Sequence, residues 1–217
     1  MATPLRNANL LLSDLADPFL MFPIETIADT LFEAVGEVQG RKFRDLGAYG
    51  VPRKYWTVEE EHYHQEEGLL LGAVFVLGQA AITQTTAVLN ELKRHPEGSA
   101  SIPTAKDQRM TDHATVDVGS GLSRIVIINA VANYFKHVYE WPENWATTAG
   151  QGPQASTISI ALQIGMSPQN MADNLWIAAR RLGLSGDSPR AIAQLIQGWR
   201  EAWANALCPP FGRSTPP

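Results

Sequence analysis

The chain contains a single cysteine, Cys208, among its 217 residues. No internal disulfide can form and no metal cage of several thiolates can be built, so a reducing, cytoplasmic setting is expected. Positive charge is also short. Against 22 Asp and Glu there are only 17 Lys and Arg, a formal net charge of -5. The field of the whole molecule therefore repels polyanions, so DNA is not an expected partner and any nucleic-acid contact needs a local basic patch. There is no Gly-rich phosphate loop, Gly-x-Ser-x-Gly elbow or His-Glu-x-x-His pair, so the common enzyme classes lack their signatures. A basic segment leading into an unbroken apolar run is missing too, because Leu10-Leu11-Leu12 is soon interrupted by Ser13 and Asp14; no signal peptide is expected.

One segment approaches the character of a membrane span. Gly68 to Leu89 is strongly apolar but carries Gln79, Thr83, Gln84 and Thr85, each costly in hydrocarbon. It reads as the buried part of a long soluble helix, and no membrane partner is expected.

What is present is material for a helical core. With 45% hydrophobic and 18% charged residues, a chain of this length can bury one sizeable core. Ile24, Ile27, Ala28, Leu31, Val35 and Val38 recur at helical spacing, predicting a helix from Pro23 that Gly40 closes. Residues 40–56 hold Gly47, Gly50 and Pro52 and read as an irregular connection. A long helix is expected over 58–92, opened by Thr57 and by Glu59, Glu60 and Glu61 at the positive end of the helix dipole, and ended by Pro96. Residues 97–115 lack periodicity and are expected to be a mobile loop. A second long helix is expected over 119–141, stopped by Pro142. Over 157–164 a period-two alternation competes with helix signals, and helix is preferred. Ser167-Pro168 and Ser188-Pro189 mark two further helix starts, and Gly183 ends the first of these helices. The predicted fold is all-α: one domain over 1–208 built on two long antiparallel helices, with a flexible tail over 209–217.

Two clusters invite a chemical reading and fall short of it. Glu59-x-x-His62 and Glu60-x-x-x-His64 share a helix face, as di-metal bundles require. Matching carboxylate–histidine pairs are absent elsewhere, since His95, His113 and His137 have no glutamate three residues before them. No metal and no cofactor are expected. The turn at Leu182 to Ser185 superficially suits a helix-turn-helix, with Arg190, Gln194, Gln197 and Arg200 on the following helix, but the acidic balance and the lengthened turn favour plain helix packing.

The most informative stretch is 129–141. On a helix, Asn129, Asn133, Lys136, His137 and Glu140 fall within roughly one quadrant, while Val131, Tyr134, Phe135 and Val138 take the opposite side. Two amides, an ammonium, an imidazole and a carboxylate are thus brought together, a set capable of proton transfer or of holding a phosphate. Asn129 and Glu140, with the neighbouring Tyr139, are the candidate ligand-binding residues. An ordinary solvated helix face has the same composition.

Two long antiparallel helices with Lys136-His137-x-Tyr139 toward the end of the second resemble the HEPN family of small α-helical proteins, over about residues 57 to 145. The resemblance implies a cleft, usually at a dimer interface, in which an Arg-x(4 to 6)-His motif acts on RNA; some members are ribonucleases and others are inactive. His137 matches the family histidine and Tyr139 the tyrosine that sometimes follows it. The arginine, due at 130, 131 or 132, is replaced by Ala130, Val131 and Ala132. The resemblance therefore implies a homodimer, non-catalytic in the first reading. In the alternative, a metal-independent ribonuclease, His137 is the general acid or base, Lys136 the phosphate stabiliser and Asn133 the orienting group. A third reading is a partner-binding module presenting Tyr139, Trp141, Trp145, Trp176, Trp199 and Trp203.

Overall fold

The computed structural model describes residues 7–48, 57–96, 101–148, 152, 154–168, 171–185 and 188–212. Among them are eight α-helices and no strand. They are α1 (Ala8–Ala16), α2 (Phe22–Ala48), α3 (Thr57–Lys93), α4 (Lys106–Thr111), α5 (Arg124–His137), α6 (Ala155–Gln163), α7 (Met171–Arg181) and α8 (Ala191–Gly212). The all-α bundle expected from periodicity is the fold observed.

The helix α3 is the axis, because the run from Gly68 to Asn90 contains no charge and can be surrounded. It packs against α2, α5, α7 and α8. Leu71, Phe75, Ile82, Leu89 and Leu92 are fully buried along it, and each such side chain contributes about 1.5–3 kcal/mol relative to exposure. The same helix is long and apolar enough to cross a membrane by length and composition, and half of that window is buried inside the fold.

Glycines set how closely neighbours approach α3. A Cβ on Gly72 would overlap the Phe135 ring of α5, and one on Gly78 would press on Ile128 of α5 and Ile192 of α8. Since Gly72 meets Phe135 while Gly78 meets Ile128, α3 and α5 run antiparallel, as expected.

Several boundaries differ from the sequence reading. The first helix does not stop at Gly40 but continues to Ala48. Its last turns are tied to α3, with Arg41 bonded to Glu66 at 2.5 Å, Lys42 to Glu60 at 2.9 Å and Asp45 accepting from the Tyr63 hydroxyl at 2.5 Å. Those long-range pairs hold the continued helix against α3. The remainder of the expected connection, 49–56, lies outside the described residues.

The segment 97–115 is not simply a loop: its described part includes α4, which inserts Arg109 and Met110 into the interior. The hydroxyl of Ser123 donates to the Met110 carbonyl at 2.6 Å, and Trp203 Nε1 to the Arg109 carbonyl at 3.3 Å. Buried carbonyls of this kind hold their segment in place because leaving them unpaired costs about 1–3 kcal/mol each.

The second long helix starts at Arg124 and not at 119. Residues 117–123 form a turn instead: Asp117 Oδ2 accepts from Ser120 N at 2.9 Å and Ser120 Oγ at 2.6 Å, Gly121 has φ +71°, and Ser123 caps α5. Arg181 Nη1 pairs with the same Asp117 oxygen at 3.1 Å while its Nε donates to the Ile164 carbonyl at 2.7 Å. One guanidinium thus joins the turn to the ends of α6 and α7. Hydrogen bonds from Ser120, with Arg181 adding its charge, hold the Asp117 carboxyl below the usual carboxylate range.

At its other end α5 tightens into a 3-10 turn over Val138–Glu140 before Pro142. Residues 157–163 are helical, within α6, and Ile164 is its C-cap. Both α6 and α7 end on a left-handed glycine, Gly165 (φ +94°) and Gly183 (φ +77°), with the next amide bonded five residues back.

The last helix buries Ile192, Ile196, Trp199, Trp203 and Leu207 on one face, at helical spacing. It runs on through Pro209 and Pro210 to Gly212, where the expected flexible tail was placed. Proline's fixed φ suits helical backbone, and near a terminus the missing N–H removes few bonds. Residues 213–217 lie outside the described residues. Arg200, buried in α8, reaches the carbonyls of Asp14 and Leu15. These are among the last carbonyls of α1, so the guanidinium caps that helix from across the core. Burial pulls the Arg200 guanidinium below its ordinary value.

Candidate functional site

The polar stripe of α5 forms, and the helix divides it between two neighbours. Toward α3 lie Asn129, Asn133 and Lys136, which converge on one residue, Gln79. Gln79 Nε2 donates to Asn133 Oδ1 at 2.8 Å, to Asn129 Oδ1 at 3.1 Å and to the Asn129 carbonyl at 3.2 Å. Its Oε1 accepts from Lys136 Nζ at 2.6 Å. Both ends of the amide are therefore engaged, the oxygen by a cation, which gives the stronger kind of hydrogen bond.

Toward α6 lies the second group. Asn133, His137, Glu140, Trp141, Gln154 and Thr157 line a cleft of about 260 Å³. His137 Nδ1 lies 3.1 Å from Glu140 Oε2, with both side chains substantially exposed. Asn133 belongs to both groups. Lys136 does not line the cleft: one residue of helix turns it about 100° away from His137.

The floor of this region is aromatic and buried. Tyr134, Trp141 and Trp145 meet edge to face or tilted at 5.4–6.1 Å between centroids. Asn174 of α7 donates to the Tyr134 hydroxyl at 2.9 Å and to the Ser167 carbonyl at 2.7 Å, and accepts from Ser167 N at 3.0 Å. Burial pushes the Tyr134 phenol above its usual value. Among the described residues, the buried Trp141 Nε1 has no hydrogen-bond partner.

The other sequence candidates resolve as follows. The acidic start of α3 is paired with α2 through Arg41 and Lys42, while His64 lies 3.8 Å from Glu60 and 4.0 Å from Glu67. Among the described residues no cluster of His, Cys, Asp and Glu is arranged to hold a metal. On the helix-turn-helix candidate, Arg190 forks onto Asp29 at 2.5–3.1 Å, Gln197 bonds Glu201 at 2.7 Å and Arg200 is buried. A face whose cations are committed in this way offers little to a phosphate backbone. Of the aromatics suggested as a partner surface, Trp141, Trp145, Trp199 and Trp203 are buried and Trp176 is half-buried, its Nε1 donating to Glu67 at 3.2 Å; Tyr139 alone among them is largely exposed, at 83%.

Sequence reasoning identified the α5 side of the site and missed Gln79, Gln154 and Thr157. The available signal for Gln79 was an amide within a run without charge. No family model, curated protein or solved structure matches this chain.

Proposed function

We propose that this chain is a HEPN-like helical-bundle protein that acts without catalysis, as a homodimer. The observation that carries this reading is the capture of Asn129, Asn133 and Lys136 by Gln79. The three groups best suited to orient and neutralise a phosphate are spent on locking α3 to α5. A ribonuclease of this type needs a cation and an acid–base group on the same substrate; here Lys136 and His137 point to different neighbours. The polar stripe is accordingly a pairing device, giving two apolar helices one register through an amide that apolar packing alone would not specify.

A second reading has an observation of its own. His137, held by Glu140 beside a cleft, has the pairing of an imidazole that a carboxylate orients for proton transfer. Mixed RNA incubated without added metal with the parent protein and with His137→Ala, shown by circular dichroism to be folded, separates the two. Intact RNA in both reactions is the expected result. Cleavage by the parent that is lost in His137→Ala would replace the non-catalytic reading with the ribonuclease.

A further inference from the structure

The outer face of α3 is only partly covered by the fold that the structure describes. Leu69, Ala73, Val76, Ala80, Thr83 and Ala87 recur at alternating spacings of four and three, and at 100° per residue they fall within about 80° of the helix circumference. Leu69 is 57% exposed; Ala80, Thr83 and Ala87 are exposed, and Ala73 and Val76 are half-buried. A surface helix ordinarily carries charge on this side, yet there is none from Gly68 to Asn90.

The pattern is self-complementary. Laid antiparallel on a second copy about Gly78, Leu69 meets Ala87, Ala73 meets Thr83 and Val76 meets Ala80, so every layer pairs a residue of the seam with another of the seam. The charges at the two ends agree with that direction. The start of α3 exposes Glu61, and its end exposes Arg94, with Lys93 and His95 half-buried beside it. Glu91, the acid at that end, borders the cleft shared with Asp14 and Arg200. An antiparallel copy sets the acidic start of each α3 against the basic end of the other, whereas a parallel copy sets like against like. The small residues at 73, 80 and 87 allow the two backbones to approach closely.

We infer that the occupant of this face is a second copy of the chain, its α3 packed antiparallel across α3 with a twofold axis near Gly78. The inference rests on the dimeric reading above and adds the surface and the direction. Gln79 and Lys136, locked to each other at the edge of the face, would then flank the axis.

Crosslinking tests both levels in the full chain. In a Cys208→Ser background, Leu69→Cys and Ala87→Cys are prepared separately and mixed, then treated with a short bis-maleimide, with light scattering reporting the mass. The expected result is a dimer in which the mixture crosslinks efficiently and Leu69→Cys alone does not, because its two copies lie about 27 Å apart along the axis at 1.5 Å per residue. Efficient crosslinking of Leu69→Cys with itself, or a dimer that crosslinks in neither case, would overturn the antiparallel seam while leaving the dimer. A monomer would overturn both, and co-sedimentation of that monomer with phosphatidylcholine vesicles would assign the face to lipid. Ala80→Glu, at an exposed position, is expected to weaken the dimer at least tenfold with the circular dichroism spectrum kept; an unchanged dimer would remove Ala80 from the interface.

Discussion

Lys136 Nζ donates to Gln79 Oε1 at 2.6 Å, joining residues 57 positions apart in sequence and fixing the register of α3 and α5. Replacing Gln79 with Ala leaves two asparagine side chains and an ammonium without their shared partner. A loss of about 1–2 kcal/mol is expected, partial because Lys136 is exposed and regains water. Urea unfolding of Gln79→Ala, Lys136→Ala and the double variant measures it. A coupling energy indistinguishable from zero would mean the pair does not hold the helices.

Gly72 should tolerate no side chain. Since a Cβ there would overlap the Phe135 ring, Gly72→Val is expected to cost roughly 2–4 kcal/mol through forced separation of α3 and α5. Phe135→Leu, a smaller partner, should recover part of that loss. Thermal melts of the single and double variants check both statements.

Asn174 fastens the aromatic floor to α7. Its amide makes three hydrogen bonds, to Tyr134 and to both backbone groups of Ser167, and is 1% exposed. Asn174→Ala is expected to destabilise the fold by about 2–4 kcal/mol, combining unsatisfied groups with a cavity. Tryptophan emission is the reporter, since loosening Tyr134 exposes Trp141 and Trp145.

Asp117 gives the fold an acid dependence of definite sign. Its carboxyl sits below the ordinary value of 3.8, so the ionised form is favoured in the folded state. The stability it adds is complete above the unfolded-state value and is lost as pH falls through the lower, folded-state value. Asp117→Asn should therefore be less stable than the parent at neutral pH, with the gap closing below about pH 4, given the unfolded carboxylate value. Denaturation at pH 7 and pH 3 gives the comparison. A constant gap would show that the turn is held by shape and not by charge.

Much of this architecture was legible in the sequence because it is written locally. The helix α3 announces itself through three glutamates, a run without charge and Pro96; α8 does so through Ile192, Ile196, Trp199 and Trp203. What was not legible depends on partners distant in the chain. Nothing near Gly40 shows that Arg41, Lys42 and Asp45 will find Glu66, Glu60 and Tyr63 and carry α2 onward to Ala48. The start of α5 lies at Arg124 and not at 119 because Asp117 and Ser120 first close a turn. On α5, spacing groups Asn129, Asn133, Lys136, His137 and Glu140, but their division between Gln79 and the cleft with Gln154 and Thr157 required knowing which helices lie on either side.

Mass in solution bears most directly on the proposal that the chain works as a non-catalytic dimer. Multi-angle light scattering on the purified full chain at micromolar concentration should return twice the 23.8 kDa of one chain. A value of 23.8 kDa that persists as concentration is raised would contradict it, and would leave His137 and its cleft as the feature of this protein to explain.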